Sequence, residues 1–338
     1  MKLKKLFAGI VAVAMMATMA IPGFAAGAVK KNETVDVTEN KVEITVKYEG
    51  AGFGSDKIKL TLDSAAPYAI KNSSKTLADV AGKTISVSST ETTVNETTGG
   101  TTATLTVTLP SYDNVGTYFY KLKQAEGKTA GMKYDTDQLY LMVNVINADA
   151  ETLTGGYLCK AALFKADPKD LTGDALKSAK IDCLTNKYTN GQFKATKKVK
   201  GNMADRNETF NFQAKFTKAA DLIVNGTINA KIANAAVAGL NELEWTTNPD
   251  STVSAIKDFT LQHGQSAEFT NIPNGMTITV YEVAVAEDGS KTELKNTNTV
   301  GTYEVECTAA TQRLPLPISL PSTSTPASSS TMLLTSLC

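Results

Sequence analysis

The chain has 338 residues, and its 34 lysine and arginine residues balance its 34 aspartate and glutamate residues at a formal net charge of +0. This balance argues against a nucleic-acid partner or an anionic membrane surface. The single histidine, His263, falls in a predicted turn. The sequence therefore gives little support to Ser–His–Asp catalysis or to a histidine-based metal site. We therefore expect a protein that is not an enzyme and that holds no cofactor and no metal.

The N-terminus has the pattern of a secretory signal peptide over residues 1–28. Lysines near the start precede an apolar run over residues 6–24, and small residues at 26–28 offer a cleavage site. The alternative is an uncleaved membrane anchor. We expect the mature chain to be exported, either soluble or attached to the cell by other means.

Two all-β modules are predicted, over residues 29–190 and 191–307. Runs such as VEITV, ATLTVTL and LYLMVNV in the first, and FNFQAKF and TITVYEV in the second, alternate between apolar and polar residues and are separated by turn residues. This pattern is typical of tandem Ig-like β-sandwich domains. Helical patterns are confined to stretches such as residues 174–179 and 230–240.

Residues 308–338 break this pattern, because they combine a Ser/Thr cluster with prolines and carry no charge after Arg313. Pro315, Pro317 and Pro321 each lack the N–H that a sheet ladder needs, so the segment is not expected to form a central strand. We predict a disordered tail, which leaves open whether the second module keeps its last strand.

Two charged residues of the second module are predicted to point into its core. Lys197 is in phase with Phe193 and Val199, and Glu282 shares a strand face with Ile278. A buried ammonium is costly unless it is paired, neutralised or consumed chemically. The pattern therefore predicts that Lys197 and Glu282 form a buried reaction centre and are not part of a solvated surface.

Cysteine is sparse, and the absence of a CxxC pair argues against a structural zinc site. Cys159 and Cys183 flank a predicted strand–loop–strand segment, and in an oxidising exterior they can pair across it. They are the disulfide candidate, whereas Cys307 and Cys338 are expected to be unpaired.

The segment GTYFYKLKQAEGKTAGMKYDTDQLYLMVNV, residues 116–145, resembles the signature of the pilin isopeptide-linkage domain. TNKY at 185–188, FKATKKVKGNMADRNETFNF and FTLQHGQSAEFTNIPNGMTITVYE match the same family, the T-antigen-type major shaft pilins of Gram-positive bacteria. The resemblance implies an elongated two-domain subunit of a cell-wall pilus, with each domain stapled by an intramolecular Lys–Asn amide bond. In that chemistry a neutral buried lysine attacks the asparagine carboxamide, a protonated carboxylic acid polarises its carbonyl, and ammonia leaves.

In the second module the resemblance gives Lys197 the role of nucleophile and Glu282 the role of acid. The asparagine partner is not found, because the proline-rich tail replaces the final strand that should end in F-T-N. Asn296 and Asn298 lie too early in the chain to match. Bond formation in this module is therefore left open.

In the first module Asn186 matches the family asparagine, but its two partners differ. Gln124 stands where the family has glutamate, and Tyr48 stands where it has lysine. Lys47 is one step out of phase, and since a slip of one residue reverses the strand face, it could react only through a bulge. We expect no isopeptide bond in this module.

The resemblance also implies partners: other pilin subunits, the sortase that assembles the pilus, and a host surface. Lys165 lies where related pilins carry the linking lysine, the alternative being a solvated loop lysine. No LPxTG-like motif follows residue 300. The alternative function is a cell-surface adhesin that binds a host glycan or matrix protein, with Trp245 either a sugar platform or a strand or core aromatic.

Overall fold

The computed structural model describes residues 29–31, 33–37, 39–63, 68–70, 77–79, 82–147, 157–200, 205–237, 240, 243–293, 303–306 and 329–337. The predicted signal peptide lies outside these residues, as do Asn296, Asn298, Cys307, Cys338 and the prolines of the tail. Among the described residues, no helix is both long enough and apolar enough to span a membrane.

The first module consists of short and medium strands. They are β1 Val35–Asp36, β2 Lys41–Glu49, β3 Ser55–Ile58, β4 Leu60–Leu62, β5 Tyr68–Ile70, β6 Leu77–Asp79, β7 Ser86–Val87, β8 Thr92–Asn95, β9 Thr101–Thr108, β10 Gly116–Gln124, β11 Met132–Lys133, β12 Leu139–Asn147, β13 Tyr157–Phe164, β14 Lys180–Ile181 and β15 Cys183–Tyr188. One sheet, here called the Gln124 sheet, has the order β1-β13-β12-β10-β5-β6, with β14 paired to β13 and β4 to β10. The other, the Tyr48 sheet, has the order β11-β15-β2-β9-β7, and β3 pairs with β8 beside them.

The second module repeats the two-sheet arrangement. Its strands are β16 Asn190–Lys200, β17 Phe210–Ala219, β18 Asn229–Ile232, β19 Ala235–Val237, β20 Thr246–Thr247, β21 Thr252–Leu261, β22 Ser266–Pro273, β23 Thr277–Val285, β24 Lys291–Glu293, β25 Tyr303–Glu306 and β26 Ser329–Leu337. The Lys197 sheet has the order β19-β18-β22-β16-β26. The Glu282 sheet has the order β20-β21-β17-β23-β24, with β25 paired to β23.

The prediction of an all-β fold is confirmed, and each module has its own apolar core between its two sheets. In the first module the inward residues of β2 face those of β10 and β12. In the second, Phe193 and Phe269 of the Lys197 sheet lie in one cluster with Phe212, Phe216 and other residues of the Glu282 sheet. Period-two alternation produces these cores, because successive side chains of a strand point to opposite faces.

Helical structure is slight, but one of its two predicted positions is wrong. Helix α1, Gly173–Ser178, forms where expected and follows a 3-10 turn, Pro168–Asp170. Residues 230–240 instead contain the hairpin β18–β19, whose turn residues Ala233 and Asn234 have φ of 49° and 68°. Two successive residues in the left-handed region form the tight turn of a two-stranded hairpin and end a helix.

The prediction of a disordered tail over 308–338 is wrong for Ser329–Leu337, which form β26. This strand pairs antiparallel with β16 along most of its length and occupies the edge of the Lys197 sheet. The four prolines of the tail all precede Ser329, so β26 keeps every backbone donor that the ladder requires. The described part of the second module therefore includes a strand beside β16.

Candidate functional site

Lys197 and Glu282 meet between the two sheets of the second module. Lys197 lies within β16, and Glu282 lies on β23 directly opposite Phe212 of β17. Lys197 Nζ donates a hydrogen bond of 2.7 Å to Glu282 Oε2. The two residues are 0% and 7% exposed, so the structure places this ion pair inside the core.

The surroundings of Lys197 disfavour its charged form. Burial lowers the pKa of Lys197 below its ordinary value of 10.5, although the hydrogen bond and charge of Glu282 and the charge of Glu208 act in the opposite direction. The ring centre of Phe210 lies 3.6 Å from Nζ and partly offsets the lost hydration through a cation–π contact. A lysine held in this way has ready access to the neutral form, which is the nucleophilic one.

This lowered pKa predicts how the stability of the protein depends on pH. Between the lowered pKa and 10.5 the unfolded chain binds a proton that the folded chain does not, so the free energy of unfolding rises with pH. The slope cannot exceed about 1.4 kcal/mol per pH unit for one group. Urea denaturation from neutral pH to about pH 10 should show the unmodified chain gaining stability relative to Lys197→Met. An unchanged difference across this range would contradict the prediction.

Among the described residues, no asparagine forms a hydrogen bond with Lys197 or Glu282. The strand that flanks β16 on its open side is β26, which runs antiparallel and sets Met332 opposite Lys197. The other neighbour, β22, sits on the far side of β16. In the described part of the chain, the predicted nucleophile and acid of this module thus come together without a carboxamide partner.

The first module brings its three predicted residues together at the corresponding place. Strand β15 runs parallel to β2, and Asn186 lies directly opposite Tyr48. Gln124 reaches across from the other sheet, and its Nε2 donates to Asn186 Oδ1 at 2.9 Å. Asn186 and Gln124 are both 0% exposed. The arrangement is that of the second module, with Tyr48 in place of lysine, Gln124 in place of glutamate, and the asparagine present.

Hydrogen bonding at this centre is incomplete. Asn186 Oδ1 also accepts from the backbone N–H of Asp135 at 3.0 Å, which orients the carboxamide. Among the described residues, Gln124 Oε1 and Asn186 Nδ2 have no partner within hydrogen-bonding geometry. The side chain of Asn186 nevertheless lies close enough to the Tyr48 hydroxyl to act against the rise that burial causes in the pKa of that phenol. An unpaired buried polar group costs roughly 1–3 kcal/mol.

A buried carboxylate beside this centre was missed by the sequence reasoning. Asp56 is 1% exposed and accepts hydrogen bonds from the hydroxyls of Tyr48, Tyr134 and Thr129, at 2.9, 2.7 and 2.7 Å. Burial raises the pKa of Tyr48, and the neighbouring charge of Asp56 raises it further, so the phenol stays protonated. The signal was present in the sequence, because Asp56 shares its strand face with Ile58.

Lys47 points away from the centre, as its phase predicts. Its Nζ lies 3.9 Å from Asp182 Oδ2, with 36% of the side chain exposed. No register shift interrupts the pairing of β2 with β15 at this position. The bulge that would turn Lys47 inward is therefore not formed.

Lys165 is held at the surface by two carboxylates. Its Nζ donates to both oxygens of Asp135 at 2.8 Å and to Asp137 at 2.9 Å. Burial acts to lower the pKa of Lys165, but the hydrogen bonds and charges of the two aspartates outweigh it and raise the pKa. Asp135 also accepts from the backbone N–H of Thr185, so the clamp on Lys165 adjoins Asn186.

Cys159 and Cys183 are free thiols in this structure, and their pairing in the exported protein stays a prediction. Strand β13 meets β14 at Leu163 and Ile181, and the chain then crosses to the Tyr48 sheet, where Cys183 lies opposite Thr45. Cys159 lies on β13, four residues before Leu163 and in the Gln124 sheet. The antiparallel pair that the sequence suggested is formed by β13 and β14, and Cys183 lies beyond it, on β15.

The chain is similar to one family model and to several solved structures. The model of a domain of unknown function, DUF7601, matches residues 191–313. No curated protein matches. Among solved structures the chain is similar to the major pilin protein T3.2 of Streptococcus pyogenes, at 15% identity over 88% of this chain and 97% of that one, with a TM-score of 0.46. A second major pilin structure from the same species matches at 17% identity over 89% and 99%, with a TM-score of 0.45.

Proposed function

We propose that this chain is a structural subunit of the shaft of a Gram-positive surface pilus. The proposal is carried by one observation: both modules place matching inward groups between their sheets. These are Lys197 with Glu282 in the second module, and Tyr48 with Asn186 and Gln124 in the first. They occupy the positions at which the resembled family forms Lys–Asn bonds. Since all of them are buried, they are suited to holding a fold together rather than to acting on a substrate.

The adhesin alternative is not favoured by the position of Trp245. This tryptophan packs against the core of the second module, and Lys218 Nζ lies 4.8 Å from its ring centre. Lys218 is itself buried and donates to the carbonyl of Leu222. The ring therefore has a structural environment, and no sugar platform is proposed.

The proposal places the subunit outside the cell, joined to further copies of itself by a sortase. Lys165 is the amine that we assign to this linkage. Its clamp by Asp135 and Asp137 fixes the side chain at a defined point. The same carboxylates keep the amine protonated, so the assembling enzyme must displace or deprotonate it before the amide forms.

The function is tested in the bacterium that carries the gene. Cell-wall extracts, probed with antiserum against this chain, should show a ladder of multimers that resists boiling in detergent. Lys165→Arg should remove the ladder and leave the monomer. Lys160→Arg is the matched control, because Lys160 lies on β13, which Lys165 directly follows, and is 40% exposed and paired with Asp36 at 3.0 Å. A ladder that survives Lys165→Arg rejects the assigned lysine, and an unmodified chain that forms no multimers rejects the pilus.

A further inference from the structure

Asn271 lies where the two modules meet, and its side chain is fully hydrogen-bonded. A register shift between Gly191 and Gln192 leaves Asn271 outside the β16–β22 ladder, with φ of 59°. Its Nδ2 donates to the carbonyls of Gly52 and Thr227, at 2.7 and 2.8 Å. Its Oδ1 accepts from the side chains of Tyr188 and Asn190. An asparagine carboxamide has two donor hydrogens and two acceptor lone pairs, so its capacity is used up.

The loop of the first module that contacts Asn271 has glycines at the points where the second module lies closest to it. Glu96 holds it by accepting from the N–H groups of Gly52 and Gly54, at 2.7 and 2.8 Å. A Cβ at Gly52 would lie 2.3 Å from Asn271 Oδ1, and one at Gly54 would lie 2.5 Å from the carbonyl oxygen of Asn225. Both glycines also have positive φ, which most side chains avoid. The two backbones therefore fit only without side chains at these points.

A second line of contact joins the backbones of the two modules. Ile223 N–H donates to the carbonyl of Lys128 at 2.7 Å, and Ala130 N–H donates to the carbonyl of Ile223 at 2.8 Å, which makes a parallel bridge. Between these residues, Thr129 donates its hydroxyl to the buried Asp56 of the first module. Asn225 adds a hydrogen bond of 3.0 Å to the carbonyl of Ser55. The junction is thus continuous with the polar network of the first module.

We propose that Asn271 locks the two modules into one rigid body and is the residue that fixes their relative orientation. This inference does not depend on the proposed function. Connecting segments between domains are expected to permit relative motion unless the interface is large. Here the restraint comes from directional hydrogen bonds on both sides of the connection, which specify one arrangement. Loss of the Asn271 side chain releases Gly52 and Tyr188 together.

The test compares Asn271→Gly with Asn234→Gly in the full chain. Asn234 also has positive φ, 68°, but lies in the β18–β19 turn, so both variants relieve the same backbone strain. Amide hydrogen exchange at Ile223 and Ala130 should accelerate roughly tenfold in Asn271→Gly and stay unchanged in Asn234→Gly. Residual dipolar couplings of both modules should fit one alignment tensor in the unmodified chain and require two in Asn271→Gly.

The proposal is overturned if exchange at both amides is unaffected by Asn271→Gly, or is accelerated equally by Asn234→Gly. It is also overturned if the unmodified chain already requires two tensors. Gly52→Ala is a second variant that disrupts the same contact from the side of the first module, because its added methyl group would collide with the Asn271 carboxamide. It should reproduce the two-tensor result.

Discussion

A chain carrying both Tyr48→Lys and Gln124→Glu is expected to form a covalent bond to Asn186 and to lose one ammonia. The introduced lysine would lie opposite Asn186 on the adjacent parallel strand, and the introduced carboxyl would take the place of the amide that now contacts Asn186 Oδ1. Asn186 and Gln124 are 0% exposed, so burial favours the neutral amine and the protonated acid, while the carboxylate of Asp56 beside position 48 acts against the neutral amine.

The reaction balances without a cofactor. The lysine nitrogen attacks the carboxamide carbon, a new C–N bond forms, the bond to Asn186 Nδ2 breaks, and the carboxyl relays the proton with which ammonia departs. The bond would close a loop of about 140 residues, and the loop-closure estimate of its stabilisation is about 5 kcal/mol. Asn186 Nδ2, which now has no partner within hydrogen-bonding geometry among the described residues, would leave as the ammonia.

Intact-mass spectrometry and peptide mapping check this result. The deficit of one ammonia should be located in a peptide that joins position 48 to Asn186. Adding Asn186→Ala to the double variant should abolish it, and Tyr48→Lys with Gln124 retained should show little or none. A folded double variant with full mass would refute the interpretation of this pocket as the counterpart of the Lys197 centre.

The second large effect is expected at the buried ion pair. Lys197→Met leaves Glu282 in the core without its partner, and Glu282→Leu does the same to Lys197, so each change should cost about 3–5 kcal/mol. The combined change removes both charges and should cost far less than the sum, because buried pairs are often replaced by apolar residues at little cost. Urea denaturation of the four chains measures this coupling.

An exposed pair on the same sheet supplies the control. Lys194 and Glu268 form an ion pair with 39% of each side chain exposed. Lys194→Met and Glu268→Leu should each change the free energy of unfolding by less than about 1 kcal/mol, with little coupling. Additive effects at Lys197 and Glu282 would show that the two charges are not coupled in the folded protein.

Much of the fold and part of the candidate site could be predicted from strand periodicity. A residue's phase determines the face on which it lies, so Lys197 and Glu282 could be placed inside, and Lys47 outside, from the sequence. The same argument put Tyr48 and Gln124 on inward faces, and the structure brings them to Asn186. Local alternation was sufficient for these residues because each lies in a long, regular strand.

What could not be predicted depends on contacts between distant segments. The three hydroxyls on Asp56 come from β2 and from the loop before and after β11, and periodicity does not show which strands lie side by side. Periodicity also did not show that the chain changes sheets between Cys159 and Cys183, after the antiparallel pair of β13 and β14. Strand β26 was missed because the prolines before Ser329 dominated the composition of the tail.

A neighbouring strand runs parallel to β2 in the first module and antiparallel to β16 in the second. This difference in direction determines how each module responds to tension. In the first module β15 is parallel to β2, so pulling on Lys41 and Tyr188 slides the strands past each other and loads their hydrogen bonds together. In the second, Leu337 lies next to Gln192, so pulling on these ends peels β26 away one bond at a time. Because shear requires the simultaneous rupture of several bonds, the first module has the mechanically stronger junction even without a covalent bond.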